Sequence, residues 1–579
     1  MRRTGSPPTD LGQISGLPAL LMIWATATPD APAVLQKRRG RWQPLSWAAC
    51  AERVQHLALA LDGLGVGPGD VVVQLLATSR DAWFLDLGTQ ALGARSAAID
   101  PDAPASEVTA ALVALAPSVV AVEGLELADE VLDLVDNGRV GHPQLIVRHG
   151  ADALDDATSF DELAARGRAR SESEPDRYGE LATPRSATDV VAVTVEFAAT
   201  GQPVLLDVTA DALVASGRAT VEQFSLTGAD LAVSVTPLAH TVERGTTYAG
   251  ALSAGASIGF PETPASALVA VVELQPTFLH ATPTFWRAVA TGVRSRLAHN
   301  KGSKRLVRYL WERSSLTPSM VGRPVGAAGR FLRFLVGTGA LRKLGMDRLR
   351  VAVTTGSVVS AGHLQLLSAL GLDIQRGYGS VRSIGLLALC SSLEGDVELP
   401  SGLIADTQIE VGDDGSVEVS GAAVCGEGWA VTGDRARRVA DSQIRLVGSG
   451  SALPDGSYPA EIEAQICSSM YVEHVALYQD GDETHGVIEI DATATGDWAR
   501  RQGLEFTTFE SLCSLESVRG LIGSELERLG TNSLAVYRLL PEQLRRRTGD
   551  LTINREINRD VVGSLKETVG AMVSPAPRK

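Results

Sequence analysis

The sequence predicts an α/β protein with a large N-terminal domain of parallel-rich sheets covered by helices and a small, mobile α+β C-terminal domain. Short apolar runs at 71–77, 96–100 and 118–123 alternate with alanine- and leucine-rich segments. Such runs are typical of parallel strands buried on both faces, and the segments between them are typical of covering helices. A chain of 579 residues is long enough for more than one domain.

The pattern changes towards the end of the chain. Residues 450–579 predict, in order, a helix, two strands and a further helix, at 459–469, 474–480, 485–491 and 515–530. We therefore expect a large domain over residues 1–449 and a small domain over 450–579. The polar stretch 167–189 predicts a surface loop, because it lacks any apolar periodicity.

Charge and cysteine usage narrow the class of protein. The 52 Lys and Arg against 68 Asp and Glu give a net charge of −16, which argues against nucleic-acid binding. The five scattered cysteines indicate a reducing, cytoplasmic setting. Residues 294–350 are the exception, with fourteen basic residues against Glu312 and Asp347. This segment is either a basic amphipathic face for the anionic inner membrane surface or a solvated helical insertion with its apolar stripe in the core.

Five motifs follow one another along the chain. They are PLAHTVERGTTYAG from Pro237, QPTFLHATPTFW from Gln275, LRVAVTTGS from Leu349, IQRGYGSVRS from Ile374 and GWAVTGD from Gly428. Together they resemble the adenylate-forming (AMP-binding) superfamily, most closely its long-chain acyl-CoA synthetase (fatty acid–CoA ligase) branch. The resemblance covers nearly the whole chain and implies ATP, a fatty acid and CoA as ligands. It implies nucleotide contacts from Thr200, Gly201, Gly356, Tyr378, Gly379 and Asp434.

The segment that matches the phosphate-binding loop of this family is altered. Such a loop uses small residues, hydroxyl groups and a lysine to bring donors to the phosphates. Here it reads VEFAATGQPV, in which Thr200 and Gly201 fit the family pattern. Glu196 and Phe197 stand where hydroxyl residues belong, and Val204 replaces the lysine. The sequence thus places bulk and negative charge where the family binds a triphosphate.

A second altered motif is RGYGSVRS. Tyr378 and Gly379 match the family, whose tyrosine stacks near the adenine. Val381 replaces a threonine that contacts phosphate, and Arg382 replaces the glutamate that holds magnesium. A guanidinium cannot bind a cation, so magnesium is not expected in the family's manner, and no other metal site is evident. Arg382 could still contact a phosphate directly.

Two conserved-looking motifs leave alternatives open. The resemblance implies that Asp434 binds the ribose hydroxyls, but a Gly-Asp turn after a strand can also be retained for its shape. It likewise implies that His240 lines the acyl or acceptor channel, and the alternative is a histidine that caps a helix.

The last motif, LTINREINRD, carries a charge reversal. Glu556 stands where the family has the lysine that stabilises the forming acyl phosphate. A carboxylate there would repel the developing negative charge. A one-residue shift of the alignment would place Arg555 at that position instead.

These replacements predict a catalytically impaired acyl-CoA synthetase homologue, a pseudoenzyme that still binds an acyl chain, a nucleotide or a partner. The alternative is an active, divergent fatty acid–CoA or acyl-AMP ligase in which Arg382 or Arg555 compensates for the replaced groups.

Overall fold

The computed structural model describes most of the chain. The described residues are 16–154, 157–182, 186–197, 202–299, 338–356, 361–391, 396–399, 401–404, 406–426, 428–449, 453, 457–481, 483–531, 534–553, 557–568 and 573–575. Most of the basic segment 294–350 therefore lies outside the described residues, as do Thr200, Gly201, Arg555 and Glu556.

The strands and helices alternate through the first half of the chain, as predicted. The strands are β1 (Pro32–Arg38), β2 (Arg41–Ser46), β3 (Val71–Leu75), β4 (Arg95–Ala98), β5 (Val119–Val122), β6 (Gln144–Val147), β7 (Ala157–Ser159), β8 (Val190–Phe197), β9 (Pro203–Thr209), β10 (Leu231–Val233), β11 (Ser257–Phe260), β12 (Phe278–Ala281), β13 (Val351–Thr354), β14 (Ile374–Tyr378), β15 (Ala388–Leu389), β16 (Asp396–Glu398), β17 (Gln408–Val411), β18 (Ser416–Ser420), β19 (Ala430–Ala440), β20 (Gln443–Ser449), β21 (Val472–Asp480), β22 (Glu483–Ile490), β23 (Leu534–Leu539) and β24 (Val573–Pro575).

The helices cover these strands. They are α1 (Leu17–Ala27), α2 (Trp47–Gly63), α3 (Arg80–Ala91), α4 (Ala105–Leu115), α5 (Leu125–Asp136), α6 (Phe160–Ser173), α7 (Arg177–Leu181), α8 (Ala210–Phe224), α9 (Thr241–Glu243), α10 (Gly250–Ala254), α11 (Ala267–Leu274), α12 (Pro283–His299), α13 (Thr338–Lys343), α14 (Ala361–Ala369), α15 (Pro459–Ile466), α16 (Ala492–Arg501), α17 (Phe509–Ser514), α18 (Glu516–Leu529) and α19 (Val562–Thr568). A π-helical turn, Arg244–Ala249, joins α9 to α10.

Two large sheets form the first part of the molecule. One has seven strands in the order β7-β6-β5-β3-β4-β8-β9, and the other has eight in the order β15-β14-β13-β12-β10-β11-β1-β2. All neighbouring strands pair in parallel except at β9, β2 and β15. The three predicted strands are β3, β4 and β5, and each is shorter than its apolar run in the sequence.

The main apolar core contains residues from both large sheets and the helices between them. Trp24, Trp47 and Trp83 lie in this core and are almost completely buried. The Trp24 indole N–H donates to the Leu252 carbonyl at 2.7 Å, so its single polar group is satisfied inside the apolar surroundings.

Two smaller antiparallel or mixed sheets follow. One, in the order β16-β20-β19-β18-β17, is antiparallel throughout, and the other, β21-β22-β23-β24, belongs to the C-terminal part with α15 to α19. The α/β fold with a large N-terminal and a smaller C-terminal domain is thereby confirmed. The domain boundary after residue 449 stays a prediction, and it coincides with the end of β20.

The predicted loop over 167–189 is wrong in its first part. Helix α6 continues to Ser173, and α7 occupies Arg177–Leu181. Polar residues fit a helix here because only one side of α6 is buried, against α2. Gly167 explains the close approach, since a Cβ at that position would lie 1.7 Å from the His56 carbonyl oxygen. Gly167 is therefore a helix-packing residue.

Candidate functional site

The segment that matches the phosphate-binding loop is a β-hairpin formed by β8 and β9. Its strands pair antiparallel, with Glu196 opposite Val204 and Phe197 opposite Pro203. Successive side chains of a strand point to opposite faces. Phe197 packs against the apolar cluster formed by β3, β5 and β6 on one face, whereas Val204 packs against the main core on the other. The bulk of Phe197 is therefore directed away from the face that carries Glu196.

Glu196 forms an ion pair with Arg382. A guanidinium nitrogen of Arg382 lies 2.9 Å from a carboxylate oxygen of Glu196, and the side chains retain 29% and 24% of their exposure. Arg382 is anchored through its backbone, because its N–H donates to Ser380 Oγ at 3.0 Å and its carbonyl accepts from the Cys425 N–H at 2.8 Å. The residues at the altered phosphate loop and at the altered magnesium position thus neutralise each other.

Tyr378 and Asp434 are brought together at the edge of the second large sheet. The Tyr378 hydroxyl lies 2.9 Å from the Asp434 carboxylate and 3.1 Å from Thr432 Oγ1. Burial raises the pKa of Asp434 above its usual value, the Tyr378 hydrogen bond opposes the shift, and the negative charge of Glu196 adds to it. Burial also raises the pKa of the Tyr378 hydroxyl, which therefore donates to Asp434 at neutral pH.

A cavity of about 400 Å³ lies between the large sheets and the C-terminal part. Four of the predicted nucleotide contacts line it, namely Gly356, Tyr378, Gly379 and Asp434. The backbone is tightly placed there: Gly356 has φ +102°, and a Cβ at Gly379 would lie 2.6 Å from the Gly385 carbonyl oxygen. Among the described lining residues there is neither Glu196 nor Arg382 nor Val204. These residues lie beyond the described lining, although Glu196 is close enough for its charge to raise the pKa of Asp434.

The C-terminal part supplies the opposite wall of this cavity. Its contributions include His474, Thr552, Asn558 and Arg559. Arg559 pairs with Glu463 and also donates to the Leu477 carbonyl, so this cation is held by its own domain. Burial raises the pKa of Glu463, and Arg559 opposes that shift.

His240 lies in a second cavity of about 520 Å³. Its Nε2 is 3.2 Å from the Ile553 carbonyl, and Leu125, Pro237 and Thr282 line the same space. His240 occupies the residue before α9, yet its side chain makes no capping hydrogen bond to that helix. The ring therefore contacts the C-terminal segment instead of the helix end.

The choice between Arg555 and Glu556 lies outside the described residues. The chain is described up to Ile553 and again from Ile557, and Leu551 and Ile557 form an isolated antiparallel bridge. The positions that flank the motif are therefore defined, while the assignment of the catalytic-lysine position stays a prediction.

A buried polar network below the first cavity was missed in the sequence. His280 lies 2.6 Å from the Glu243 carboxylate through Nδ1 and 2.7 Å from Thr355 Oγ1 through Nε2. Glu243 also accepts from Ser234 and Thr247, and all five side chains are buried. Thr355 precedes Gly356 in the chain, so this network fixes one wall of the cavity. The signal was present in the sequence, because PLAHTVER places two adjacent charges in an otherwise apolar stretch.

Ion pairs join the C-terminal segment to the first large sheet. Arg546 donates to Glu107 at 2.9 Å, and Arg547 donates to the Ala103 carbonyl at 2.6 Å and pairs with Glu130. These contacts dock residues 546–553 against α4 and α5, next to the cavity that contains His240. None of these residues was singled out in the sequence.

The chain belongs to the AMP-binding enzyme family, whose model matches residues 21–430. The predicted resemblance to the adenylate-forming superfamily and its long-chain acyl-CoA synthetase branch is confirmed. The long-chain-fatty-acid–CoA ligase FadD15 of Mycobacterium bovis is 24% identical over 607 residues, covering 97% of this chain and 98% of the relative. Long chain acyl-CoA synthetase 7 of Arabidopsis thaliana is 22% identical over 422 residues, covering 65% of this chain and 60% of the relative.

Solved structures of low sequence identity share the fold. The A domain of a carboxylic acid reductase from Segniliparus rugosus, in complex with AMP and a co-purified carboxylic acid, matches with a TM-score of 0.73 at 15% identity. The match covers 98% of this chain and 96% of that domain. The anthranilate CoA ligase AuaEII matches with a TM-score of 0.67 at 15% identity, covering 97% and 98%. No helix among the described residues combines the length and apolarity needed to cross a bilayer.

Proposed function

We propose that this protein is an acyl-CoA synthetase-like member of its family that binds an adenine nucleotide and an acyl ligand with little or no ligase activity. The observation that carries the proposal is the ion pair between Glu196 and Arg382 at 2.9 Å. In the family pattern, one of these positions offers a hydroxyl to phosphate and the other holds magnesium. Here the two side chains satisfy each other, so neither serves the reaction in that way.

Electrostatics disfavours the adenylation step. The triphosphate needs cations and hydrogen-bond donors, and Val204 supplies neither where the family has a lysine. Losing one such donor costs roughly 100- to 1,000-fold in rate, although the costs of several losses need not multiply. Arg382 removes the carboxylate that would hold magnesium, so ATP would enter without its usual counterion.

The nucleoside end supports continued ligand binding. The cavity of about 400 Å³ falls within the ~300–1,000 Å³ range of small-molecule sites. Tyr378 and Asp434 are held in it by their mutual hydrogen bond, and Asp434 keeps a second oxygen for a ribose hydroxyl. We therefore propose AMP, adenosine or an acyl-adenylate as the better-fitting nucleotide, with an acyl chain or CoA entering the cavity that contains His240.

The second candidate function is an active, divergent fatty acid–CoA or acyl-AMP ligase. The observation that favours it is the position of Arg382, which could turn from Glu196 to a phosphate and replace the charge of the metal. Arg555 would then supply the positive charge expected at the terminal motif. This candidate requires that ATP displace Glu196 from Arg382.

Pyrophosphate exchange with a panel of fatty acids, followed by acyl-CoA formation, distinguishes the two candidates. The impaired protein shows no turnover above a heat-denatured control, while calorimetry detects AMP or adenosine binding. Turnover that depends on the fatty acid would refute the pseudoenzyme and support the ligase. Absence of both turnover and nucleotide binding would refute the retained nucleotide site.

We also propose a cytoplasmic protein with a peripheral contact at the inner membrane face through residues 294–350. The support is the charge of that segment alone, fourteen basic residues against two acidic ones. Flotation with liposomes should then require anionic lipid and weaken with salt. Flotation that is insensitive to both would refute this electrostatic contact, and no flotation at all would favour the alternative of a solvated helical insertion.

A further inference from the structure

A third pocket, of about 260 Å³, lies where α2, α6 and the N-terminus of α3 meet. It shares no described lining residue with the two cavities of the candidate site. Three arginines, one histidine and two carboxylates line it, namely Arg53, Arg80, Arg168, His56, Glu52 and Asp161. Neither the family resemblance nor the proposed function gives this pocket a role.

The charges in this pocket are sorted by depth. The Arg80 and Arg53 side chains are 12% and 26% exposed, whereas those of Glu52 and Asp161 are 64% and 80% exposed. Arg80 and Arg53 therefore lie inside, whereas Glu52, Asp161 and the exposed Arg168 lie at the rim. Because exposed charges are well screened by water, the inner arginines dominate the potential that an entering ligand meets.

The two inner cations, Arg53 and Arg80, have no carboxylate of a described residue within hydrogen-bond distance. The nearest carboxylate oxygen to Arg53 is that of Asp161 at 3.7 Å, and the nearest to Arg80 is that of Asp81 at 3.8 Å. Both distances exceed a hydrogen bond, and neither guanidinium donates one to any described residue. These guanidinium groups are partly buried and have only long ion pairs, so an acceptor supplied by a ligand at hydrogen-bond distance would be stabilising.

His56 gives an independent indication of a ligand. It is 6% exposed and faces this pocket, and its closest charged neighbour is Glu52, 3.9 Å from Nε2. Burial lowers the pKa of His56, with Arg168 and Arg53 acting in the same direction and Glu52 and Glu172 against it. This imidazole makes no hydrogen bond to a described residue, because its carboxylate neighbour Glu52 stands beyond hydrogen-bond distance and is 64% exposed.

Helices α2, α6 and α3 position the side chains that line this pocket. Ala49, Glu52, Arg53 and His56 recur on one face of α2, as the helical repeat requires. Gly167 lets α6 approach that face, because any larger residue would collide with the His56 carbonyl. Arg80 opens the twelve-residue helix α3, whose positive dipole end adds to the charge of the arginines.

We propose that this pocket binds a small phosphorylated metabolite through its phosphate group. Arg53 and Arg80 would donate to the phosphate oxygens, and His56 would donate as the imidazolium. The volume of about 260 Å³ lies just below the ~300 Å³ of typical drug-sized sites, which suits a phosphate ester of a few carbons better than a nucleotide. The acidic rim disfavours approach to an anionic membrane, so a free metabolite fits better than a lipid headgroup.

Nuclear magnetic resonance of the histidine ring signals tests the site in the full chain, with inorganic phosphate as the probe. The His56 signal is assigned by its loss in His56→Gln. Phosphate should shift it saturably and raise the pKa of His56, whereas chloride and acetate at equal ionic strength should not. Arg80→Gln should weaken phosphate binding by roughly 10-fold or more, because a charge-assisted hydrogen bond is lost.

Arg166→Gln is the matched control, since Arg166 lies on α6 but pairs with Glu162 outside the pocket. It should leave phosphate binding unchanged. If the unfolding temperature of Arg80→Gln differs from that of the wild type, Arg53→Gln provides a second test of the same site. Equal effects of phosphate and chloride, or equal binding by wild type and both pocket variants, would overturn the proposal. The proposal would also be overturned if the protein bound phosphatidic acid vesicles but no free phosphate, and if Arg80→Gln abolished that vesicle binding.

Discussion

Replacing Glu196 by glutamine is the most direct test of the altered phosphate end. Glutamine keeps the size of the side chain and removes its charge, so the Arg382 guanidinium loses its partner at 2.9 Å. The charge of this pair then rises from zero to plus one. A ligand that carries phosphates should gain affinity, while one without phosphates should not.

The size of the gain follows from the geometry. The pair is only partly buried, so breaking it should cost the fold about 1 kcal/mol or less. A hydrogen bond from the freed guanidinium to a phosphate oxygen is worth about 1.5–3 kcal/mol. ATP should therefore bind Glu196→Gln about 10- to 100-fold more tightly than wild type. In the proposed site adenosine would contact only the Tyr378 and Asp434 end, so it should bind equally to both proteins.

Calorimetry with ATP and adenosine on wild type, Glu196→Gln, Arg382→Gln and the double variant measures this gain. The double variant should lose it, because the gain depends on Arg382. Thermal unfolding of each protein checks that the fold is intact. An equal gain for adenosine, or a gain that persists without Arg382, would refute the assignment of this pair to the phosphate end.

Three further perturbations test the surrounding structure. Gly167→Ala should lower the free energy of unfolding by about 1–3 kcal/mol in a denaturant titration, because its Cβ would overlap the neighbouring helix backbone. Arg547→Glu should free the C-terminal segment and speed its proteolysis, and Glu130→Arg in the same chain should restore protection. Asp434→Asn should stabilise the fold at neutral pH, because burial raises the pKa of Asp434 and so penalises its charged form. This advantage should shrink as the pH falls through the raised pKa of Asp434 and vanish below the ordinary aspartate pKa of about 3.9, where the carboxyl group is protonated in both the folded and the unfolded protein.

Each of these perturbations has a control. Gly520→Ala lies in α18 with open space around the new Cβ and should be neutral or slightly stabilising. Arg545→Glu changes the charge of an exposed neighbour and should leave proteolysis unchanged. Equal destabilisation by both alanine variants would contradict the packing role of Gly167. An unfolding free energy of Asp434→Asn that stays parallel to wild type at all pH values would contradict the burial of that charge.

Much of the fold was predictable because its signals are local. Apolar runs located the strands of the first sheet, and the change of pattern located the C-terminal helices and strands. The loop prediction for the segment around Gly167 was wrong for a tertiary reason. A polar, glycine-containing stretch gives no local signal for a helix, and the packing of another helix against it stabilises the helical form. The direction of the Phe197 side chain could have been predicted from the sequence, because side chains alternate along a strand and Phe197 directly follows Glu196.

The sequence predicted several residues of the candidate nucleotide site, but it did not predict which side chains pair with each other in space. Sequence motifs brought Gly356, Tyr378, Gly379 and Asp434 together, and these four line one cavity. The network of Glu243, His280 and Thr355 was missed, because its members come from three separate segments. Their roles towards a nucleotide stay predictions until binding is measured.

The sequence by itself determined the family, because motifs are local and keep their order, and it predicted the positions at which the family's phosphate and magnesium groups are replaced. It could not show that two replaced residues, Glu196 and Arg382, neutralise each other, since Coulomb attraction depends on distance in space and not along the chain. The same holds for the pocket of Arg53, His56 and Arg80. There, Gly167 lets α6 pack against the face of α2 that carries Arg53 and His56, a contact that depends on the tertiary structure.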